Sequence, residues 1–449
     1  MPLLNLNTEI PSTRRIWDIA WPIMISLLAQ NIVGVTDTAF LGRVGEVELG
    51  AAALGGLFYI IIFMVCYGFT TGVQILVARR HGEKNYSQIG KIFDNSLYFL
   101  AFISLLVTGL IYLCSSFILK PIISSPEVFK AATTFLSYRI FGLFFASMGL
   151  LFRSFYTGIT DTRYLSISAG IMAGLNIILA YAMIFGKFGL PPMGIAGAAI
   201  ASCISEFCAA IFLFLVTIGN KRVKVYQLFR WVKPEWEIIK STLGVSVFVM
   251  IQFVLSLSVW FVFFLIIEKM GERPLAISNI ARSIYMFLMI PGWALCSVTN
   301  TLVSNVLGEG KPEQVLPITF KIMKFSVALL LVVVVIAAFI PVQVLGVFTN
   351  DQSLIQAAIP TYYIILSALF LFSLMSVLFN AVLGTANTRI TLIIEVVTLS
   401  FYVMYCWFIA IILKKPVQIV WTSEWVYAFF LGTFSYFYLK KGKWRDRKV

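Results

Sequence analysis

The stretch that decides the fold is residues 16–41, which read IWDIAWPIMISLLAQNIVGVTDTAFL. It is long enough to cross a bilayer as a helix, because a span needs about 20 predominantly apolar residues. Within it, Ser26, Gln30 and Asp37 recur at steps of four and seven and therefore share one helical face. An ionised carboxylate at bilayer depth costs roughly 2.5–3.5 kcal/mol, so this face should point into a protein interior or a wet cavity. Asp37 is therefore a candidate coupling site for a proton or a small cation; the alternative is that it pairs with Arg43 near the helix end.

The composition is that of a protein solvated mainly by lipid. Of the 449 residues, 60% are hydrophobic and 12% are charged, and the mean hydropathy is +0.93. Soluble domains carry about 25% charged residues. Apolar runs of about 20 residues recur along the whole chain, which argues against a single anchor that carries a soluble domain. We therefore expect an all-α integral membrane protein whose main partner is the lipid bilayer.

The positive charge does not indicate a nucleic-acid partner. The net charge of +14 is concentrated in a few loops and in the C-terminal tail, as the positive-inside rule requires. The chain has one histidine, His81, in a basic loop, and six cysteines without paired spacing, so no metal site is indicated. The sequence contains no HExxH, GxSxG or CxxC motif. We therefore expect neither an enzyme nor a cofactor site.

Twelve membrane spans are predicted, with both termini on the cytoplasmic side. Lys and Arg concentrate after the second span, after the sixth span and in the tail, whereas the loops after odd-numbered spans carry fewer of them. This asymmetry predicts a multi-pass protein of the inner (plasma) membrane with cytoplasmic termini. The predicted spans are residues 14–41, 49–78, 91–117, 126–156, 163–186, 193–218, 236–268, 274–306, 318–346, 353–384, 389–413 and 418–439.

An internal repeat divides the chain into two halves. When the sequence is shifted by 226 positions, loop residues coincide in several places, for example Gly82 with Gly308 and Gly158 with Gly384. An even number of spans separates equivalent positions, so the halves share one orientation, and parallel repeats place a substrate cavity near the bilayer midplane. The predicted domains are an N-terminal six-helix lobe (1–219), a cytoplasmic linker (220–235), a C-terminal six-helix lobe (236–440) and a basic cytoplasmic tail (441–449).

Several segments resemble the multidrug and toxic compound extrusion (MATE) transporters. Residues 29–56, AQNIVGVTDTAFLGRVGEVELGAAALGG, are similar to the family's first-helix signature, and VTDTAFLGR is most similar to the DinF-like branch. GITDTR, LNIILAYAMIFG and GIAGAAIAS, which begin at residues 158, 175 and 194, resemble the region of helices four to six. The resemblance covers the whole chain, and it implies twelve helices in two parallel lobes and secondary active efflux.

The resemblance also implies site residues in the first half. Asp37 stands where the family keeps its coupling aspartate, Asn176 matches the asparagine of the fifth-helix motif, and Ser202 stands where the sixth helix offers a small hydroxyl residue. The fifth-helix motif normally continues to an aspartate–proline pair, but this chain has Ala180 and Tyr181 there. The acids of the second-half sodium site of NorM-like members are absent too. With the polar stripe of the first span, the predicted cation-coupling residues are Asp37, Asn176, Ser202 and Gln30.

An additional polar site in the first half is predicted from Ser26, Glu206 and Tyr138. Glu206 follows Ser202 by four residues and faces the same way. The alternative is that Glu206 pairs within the helices of its own lobe. Asp94 is expected to pair with Lys91 or a neighbouring arginine near the cytoplasmic face.

The predicted substrate cavity has two candidate lining residues in or near the second half, Glu395 and Arg282. Glu395 is expected to be the only clearly buried acid of that half. It would attract a cation from the cavity, and the alternative is internal pairing.

These features together predict a secondary active exporter. Such a protein would exchange protons or sodium ions for small amphipathic organic molecules by alternating access. Aromatic residues make up 15% of the chain, and a cavity lined by some of them suits cationic substrates. A proton is favoured because it needs one base, whereas sodium prefers several oxygen ligands. We expect the protein to function as a monomer.

The alternative is a flippase for lipid-linked precursors from the same superfamily. Such a protein tends to need a basic central cavity for pyrophosphate. The cationic residues in or near the spans are Arg139, Arg153 and Arg282.

Overall fold

The residues that the structure describes are mostly helical. The structure is a computed structural model that describes residues 10–230, 233–442 and 444–445. The all-α prediction is confirmed, because each predicted span coincides with one helix or with two consecutive helices. The helices are α1 (Thr13–Val44), α2 (Glu46–Gly82), α3 (Tyr86–Leu119), α4 (Pro126–Arg139), α5 (Gly142–Gly158), α6 (Arg163–Phe185), α7 (Gly194–Gly219), α8 (Trp236–Glu268), α9 (Glu272–Leu288), α10 (Ile290–Gly308), α11 (Val315–Phe339), α12 (Pro341–Gly346), α13 (Gln352–Gly384), α14 (Thr388–Trp407), α15 (Val417–Val420) and α16 (Ser423–Lys441).

Most of these helices are able to cross a membrane. Among the described residues, nine stretches of helix are individually long and apolar enough, and two bent pairs qualify when each pair is taken as one span. The pairs are α4 with α5, bent by 47°, and α9 with α10, bent by 48°. The last predicted span corresponds to α15 and α16. Helix α16 is less apolar because it has Glu424 in its first turn and Lys440 and Lys441 in its last.

The two breaks have different local causes. In α10, Pro291 is near the first position, and its missing N–H removes a hydrogen bond that would continue α9. No proline lies between α4 and α5. There two carbonyls next to the break accept hydrogen bonds from side chains of other helices: the Thr108 hydroxyl donates to the Ile140 oxygen (3.2 Å) and the Cys203 thiol to the Tyr138 oxygen (3.3 Å). Satisfied carbonyls stabilise the break, since a buried unpaired one is costly.

The internal repeat is visible in the helix bounds. Helix α2 covers 46–82, and α9 with α10 covers 272–308, which is the same segment shifted by 226 residues. The same shift relates α4 with α5 (126–158) to α13 (352–384). A different span is therefore broken in each half, so the halves share their helix order but not their kinks.

One packing contact is repeated with the same offset. A β-carbon on Gly158 would lie 2.7 Å from Val77 Cγ1, and one on Gly384 would lie 2.9 Å from Val303 Cβ. Both distances are shorter than a van der Waals contact, so each position needs glycine to let two helices approach. Val77 and Val303 are themselves 226 positions apart. The shared spacing of Gly158 and Gly384 thus has a packing reason in both halves.

The described chain forms two compact units. One consists of residues 22–258, and the other contains the described residues before 22 and after 258. The second unit has a continuous apolar core built around Phe263, Ile267, Tyr362 and Trp421. The predicted lobe and linker boundaries stay a prediction.

The predicted linker is attached to the start of α3 by buried polar side chains. The Asp94 carboxylate accepts the backbone N–H groups of Phe229 (2.9 Å) and Arg230 (3.0 Å). Next to it, Asn95 accepts the N–H of Glu235 (2.7 Å). The expected pairing of Asp94 with Lys91 or an arginine side chain is wrong, because Lys91 pairs instead with Glu235 (2.9 Å). Asp94 is 2% exposed, and both of its carboxylate oxygens are already occupied by these two backbone N–H groups.

Removal of the Asp94 carboxylate should loosen this attachment. Asp94→Ala leaves two backbone donors without their charged acceptor, and each such bond is worth roughly 1.5–3 kcal/mol. We expect trypsin cleavage after Arg230 to accelerate about tenfold or more, since about 1.4 kcal/mol is a factor of ten. Lys91→Met is the control, because its pair with Glu235 is exposed and such pairs contribute under about 1 kcal/mol. Equal cleavage rates in the two variants would contradict the role given to Asp94.

Candidate functional site

Three of the predicted coupling residues meet inside the first unit. Asp37 lies on α1, Asn176 on α6 and Ser202 on α7. The Ser202 hydroxyl donates to Asp37 Oδ2 (3.3 Å), and the Asn176 side-chain amide donates to Ser202 Oγ (3.1 Å). Asn176 and Ser202 are buried, whereas Asp37 is half-buried. Arg43 is exposed and is not among the partners of Asp37, so the alternative pairing is not observed.

Two oxygens of this chain of side chains have no hydrogen-bond partner among the described residues. They are Asp37 Oδ1 and Asn176 Oδ1, and both are shielded from solvent. Asp37 and Asn176 also interact with each other directly. Both unpartnered oxygens are hydrogen-bond acceptors. A proton on Asp37 Oδ1 would neutralise the carboxylate, and a small cation would supply a positive charge at the same place.

The site contains a single acid where the family motif would supply two. Ala180 is fully buried one helical turn after Asn176 and offers no oxygen ligand. Tyr181 is 40% exposed, and its ring packs against Phe40 and Phe185. Ala180 and Tyr181 therefore supply no second charge to the site and contribute packing instead.

A largely buried ion pair lies one helical turn from Ser202. Arg139, the last residue of α4, makes two parallel hydrogen bonds to Glu206 of α7, of 2.6 and 2.8 Å. The side chains are only 13% and 15% exposed, and the guanidinium lies 3.8 Å from the centre of the Tyr59 ring. Arg139 and Glu206 both interact electrostatically with Asp37. The pairing of Glu206 within its own lobe, given above as the alternative, is the arrangement observed.

Glycine at position 142 makes room for this ion pair. A β-carbon on Gly142 would collide with Arg139 Nη1, and it would lie 2.5 Å from Glu206 Oε2. The guanidinium of Arg139 and the carboxylate of Glu206 therefore lie directly against the first turn of α5. The ion pair therefore joins the α4–α5 break to the helix that carries Ser202. The sequence contains both charges but gives no sign that residues 67 positions apart meet.

The remaining first-half candidates lie outside the Asp37 contacts. The Ser26 hydroxyl donates to the Pro22 carbonyl of its own helix (2.8 Å). Gln30 has an exposed side chain. Tyr138 is 44% exposed and contributes only its backbone carbonyl, to Cys203. Their assignment to a coupling site or to an additional polar site stays a prediction.

In the second unit, Glu395 and Arg282 lie in different surroundings. Glu395 is 2% exposed and accepts a hydrogen bond from the Tyr427 hydroxyl (2.9 Å), which is the internal pairing given as the alternative. Arg282 is exposed, and its guanidinium lies 5.0 Å from the centre of the Phe264 ring. Their role in a substrate cavity stays a prediction.

Sequence reasoning missed a second buried acid in this unit. Glu424 is 3% exposed and accepts a hydrogen bond from the Tyr402 hydroxyl (3.0 Å). The expectation that Glu395 is the only buried acid of the second half is therefore wrong. Glu424 lies near the start of the last predicted span, where an acid is easily read as a residue of the helix end. Trp421 in the same turn is 1% exposed, but a tryptophan near the end of a span is typical of the membrane interface, so its identity did not indicate that this turn is buried.

The fold and the site define a helical membrane transporter built from two repeats. The MatE family model matches residues 22–182 and 249–408, and the chain therefore belongs to the MatE family of multidrug and toxic compound extrusion transporters. The two matched segments begin 227 residues apart and end 226 apart, in agreement with the repeat. The family fold of twelve transmembrane helices in two six-helix lobes is the one predicted. The chain is thus a multi-pass membrane transporter and not an enzyme.

The chain is similar to named relatives over most of its length. It is 27% identical over 449 residues to the probable multidrug resistance protein NorM of Thermotoga maritima, and the match covers 98% of this chain and 95% of the relative. It is 27% identical over 396 residues to the multidrug resistance protein PmpM of Pseudomonas aeruginosa, with 87% and 81% covered. These relatives support a multidrug efflux transporter and do not favour a flippase. The DinF-like branch stays a prediction.

Two solved structures share the fold. One is the outward-facing conformation of a multidrug resistance MATE family transporter of the MOP superfamily, with a TM-score of 0.88 and 18% identity, covering 95% of this chain and 94% of that one. The other is the eukaryotic MATE transporter AtDTX14, with a TM-score of 0.84 and 18% identity, covering 96% of each chain.

Proposed function

We propose that this efflux transporter is a proton antiporter for small amphipathic organic molecules, cationic ones among them. The observation that carries the proposal is the unpartnered, buried oxygen of Asp37 within the Ser202–Asn176 hydrogen bonds. A titratable group inside a membrane protein is costly to keep, which makes a role in ion movement the default.

The chemistry of the site favours a proton over sodium. Sodium is a hard cation that prefers several oxygen ligands, and hard cations are usually held by carboxylates and carbonyls together. Here one carboxylate, one hydroxyl and one amide oxygen are available, and Ala180 stands where a second acid would be. A proton needs only Asp37 Oδ1, which has no hydrogen-bond partner among the described residues.

Binding and release of a proton change the charge of Asp37, and this change shifts the equilibrium between the conformational states of the transporter. An ionised Asp37 accepts a hydrogen bond from Ser202 of α7 and interacts with the side-chain amide of Asn176 of α6, and protonation weakens both contacts. The preferred contacts of α1, α6 and α7 therefore depend on whether a proton is bound. Differential contacts of this kind are what a bound ion needs in order to shift a conformational equilibrium.

We further propose an inner (plasma) membrane location, cytoplasmic termini and function as a monomer. Basic residues after the second and sixth spans and in the C-terminal tail support this orientation. Abundant aromatic side chains support apolar and cationic substrates, which they bind by stacking and cation–π contact.

The proposal is tested by efflux of a lipophilic cationic dye from proteoliposomes that contain the purified protein. We expect an inward proton gradient alone to drive dye export, and a protonophore to stop it. A sodium gradient alone should leave the export rate at its background value. Export driven only by sodium would overturn proton coupling, and export driven by neither ion would overturn antiport.

A further inference from the structure

The second unit contains a cluster in which two buried glutamates and two tyrosines are paired across helices. Glu395 and Tyr402 lie on α14, and Glu424 and Tyr427 lie on α16. Tyr427 donates to Glu395 (2.9 Å), and Tyr402 donates to Glu424 (3.0 Å). Each helix therefore supplies one carboxylate and the donor for the other. The Tyr402 and Tyr427 rings meet edge to face at 5.9 Å, which joins the two hydrogen bonds into one cluster.

This cluster occupies the position in the repeat that corresponds to the Asp37 site. With the offset of 226 residues, Asp37 corresponds to Phe263, and Asn176 corresponds to Tyr402. The Phe263 and Tyr402 rings are in contact at 5.9 Å, as Asp37 and Asn176 interact in the first unit. Tyr402 then reaches Glu424 on α16, the helix that corresponds to α7 with Ser202. The second repeat thus carries its acid on its last helix, whereas the first repeat carries it on its first helix.

Glu424 is a buried acid whose charge is balanced by no ion pair among the described residues. It is 3% exposed, its hydrogen-bond donor is the neutral Tyr402, and it is in no ion pair of the described residues. An ionised carboxylate in such surroundings is costly unless it is paired. The titratable groups that interact with it are Tyr285 of α9, Tyr402 and Cys406 of α14, and Tyr427 of α16, with Glu395 at the far side of Tyr427. None of them is a cation, and α13 contributes the apolar Phe372, stacked on Tyr427.

The neighbouring Ser423 adds no positive charge to this cluster. It is fully buried, and its hydroxyl interacts with the side chains of Tyr402 and Cys406. The groups around Glu424 named here are therefore neutral or acidic.

We propose that Glu424 is a second proton-binding site of the transporter, the counterpart in the second repeat of Asp37, with Tyr402 as its positioning residue. Tyr402 holds the carboxyl group by donating to Oε1, and the proton occupies the remaining oxygen. Glu395 forms the outer part of the same cluster through Tyr427. The proposal concerns proton binding and does not depend on which molecule is exported.

The test is infrared difference spectroscopy of the purified full-length protein between high and low pH. The Asp37→Asn variant should keep a carbonyl band of a protonated, hydrogen-bonded carboxyl group, and addition of Glu424→Gln should remove that band. Tyr402→Phe should move the band and the pH midpoint of its appearance, because one hydrogen bond to the carboxyl group is lost. A merely structural role of Tyr402 would leave both unchanged.

Two outcomes would overturn the assignment. One is a band that persists in Asp37→Asn/Glu424→Gln and disappears in Asp37→Asn/Glu395→Gln, which would place the proton on Glu395. The other is the absence of any such band in Asp37→Asn. If the Glu424→Gln protein fails to fold, the shift in Asp37→Asn/Tyr402→Phe decides. Failure of dye export would leave these spectra readable, so the test is separate from that of the proposed function.

Discussion

Replacement of Asp37 by asparagine should reduce proton-driven dye export to its background rate. The amide has nearly the shape of the carboxyl group and can still bond to Ser202 and Asn176, so the fold should persist. The asparagine side chain cannot bind and release a proton, however, so position 37 no longer alternates between an ionised and a neutral form. The measurement is dye efflux from proteoliposomes with an imposed proton gradient, together with the thermal unfolding midpoint of the purified variant.

Asp161→Asn provides a matched control for this prediction. Asp161 is an aspartate of the same unit, and it pairs with the exposed Arg163 in a turn before α6 (3.0 Å). The same change of charge there should leave export close to the wild-type rate, because such pairs contribute little. Undiminished export by the Asp37 variant, or an equal loss in both variants, would contradict a coupling role for Asp37.

The sequence was informative about the scaffold because bilayer physics restricts it strongly. Backbone groups in lipid must be satisfied internally, so long apolar runs become helices, and the bounds of α2 or α13 follow from their flanking loop residues within a few positions. The repeat could be recognised in the sequence because equivalent positions keep the same residue. Gly158 and Gly384, for example, each lie in close contact with a valine, which leaves no room for a larger side chain. Asp37 stood out because a carboxylate in an apolar run is expensive.

Side-chain pairing across helices was less accessible to sequence reasoning. Ser202 was assigned by family resemblance, and its bond to Asp37 depends on how α1 and α7 pack. The pairing of Arg139 with Glu206 and of Tyr402 with Glu424 likewise links helices far apart in sequence. The periodicity of one helix says which residues share its face, but it does not say which neighbour that face meets. The bend between α4 and α5 was also hidden, because its hydrogen-bond donors come from other helices.

Arg139→Met should destabilise the protein by roughly 3–5 kcal/mol, the usual cost of leaving one partner of a buried ion pair alone. Glu206 would then be a buried carboxylate without its two guanidinium bonds, and the contact with the Tyr59 ring would lose its cation. The double variant Arg139→Met/Glu206→Met should recover most of this loss, because it removes both charges and fills a similar volume. Unfolding in mixed detergent micelles measures the three free energies.

Lys91→Met is the matched control for the same measurement. It breaks an ion pair of similar length in the same unit, but both partners there are 40% or more exposed, so its cost should stay under about 1 kcal/mol. A loss for Arg139→Met no larger than that of Lys91→Met would show that water reaches the Arg139–Glu206 pair. Recovery of stability in the double variant would show that the loss in Arg139→Met comes from the uncompensated charge of Glu206 and not from lost packing. Since the pair covers Gly142 and lies one turn from Ser202, such a double variant also allows export to be measured without an ion pair at the bend. Slower export at restored stability would then assign the ion pair to the electrostatics of Asp37 rather than to the fold.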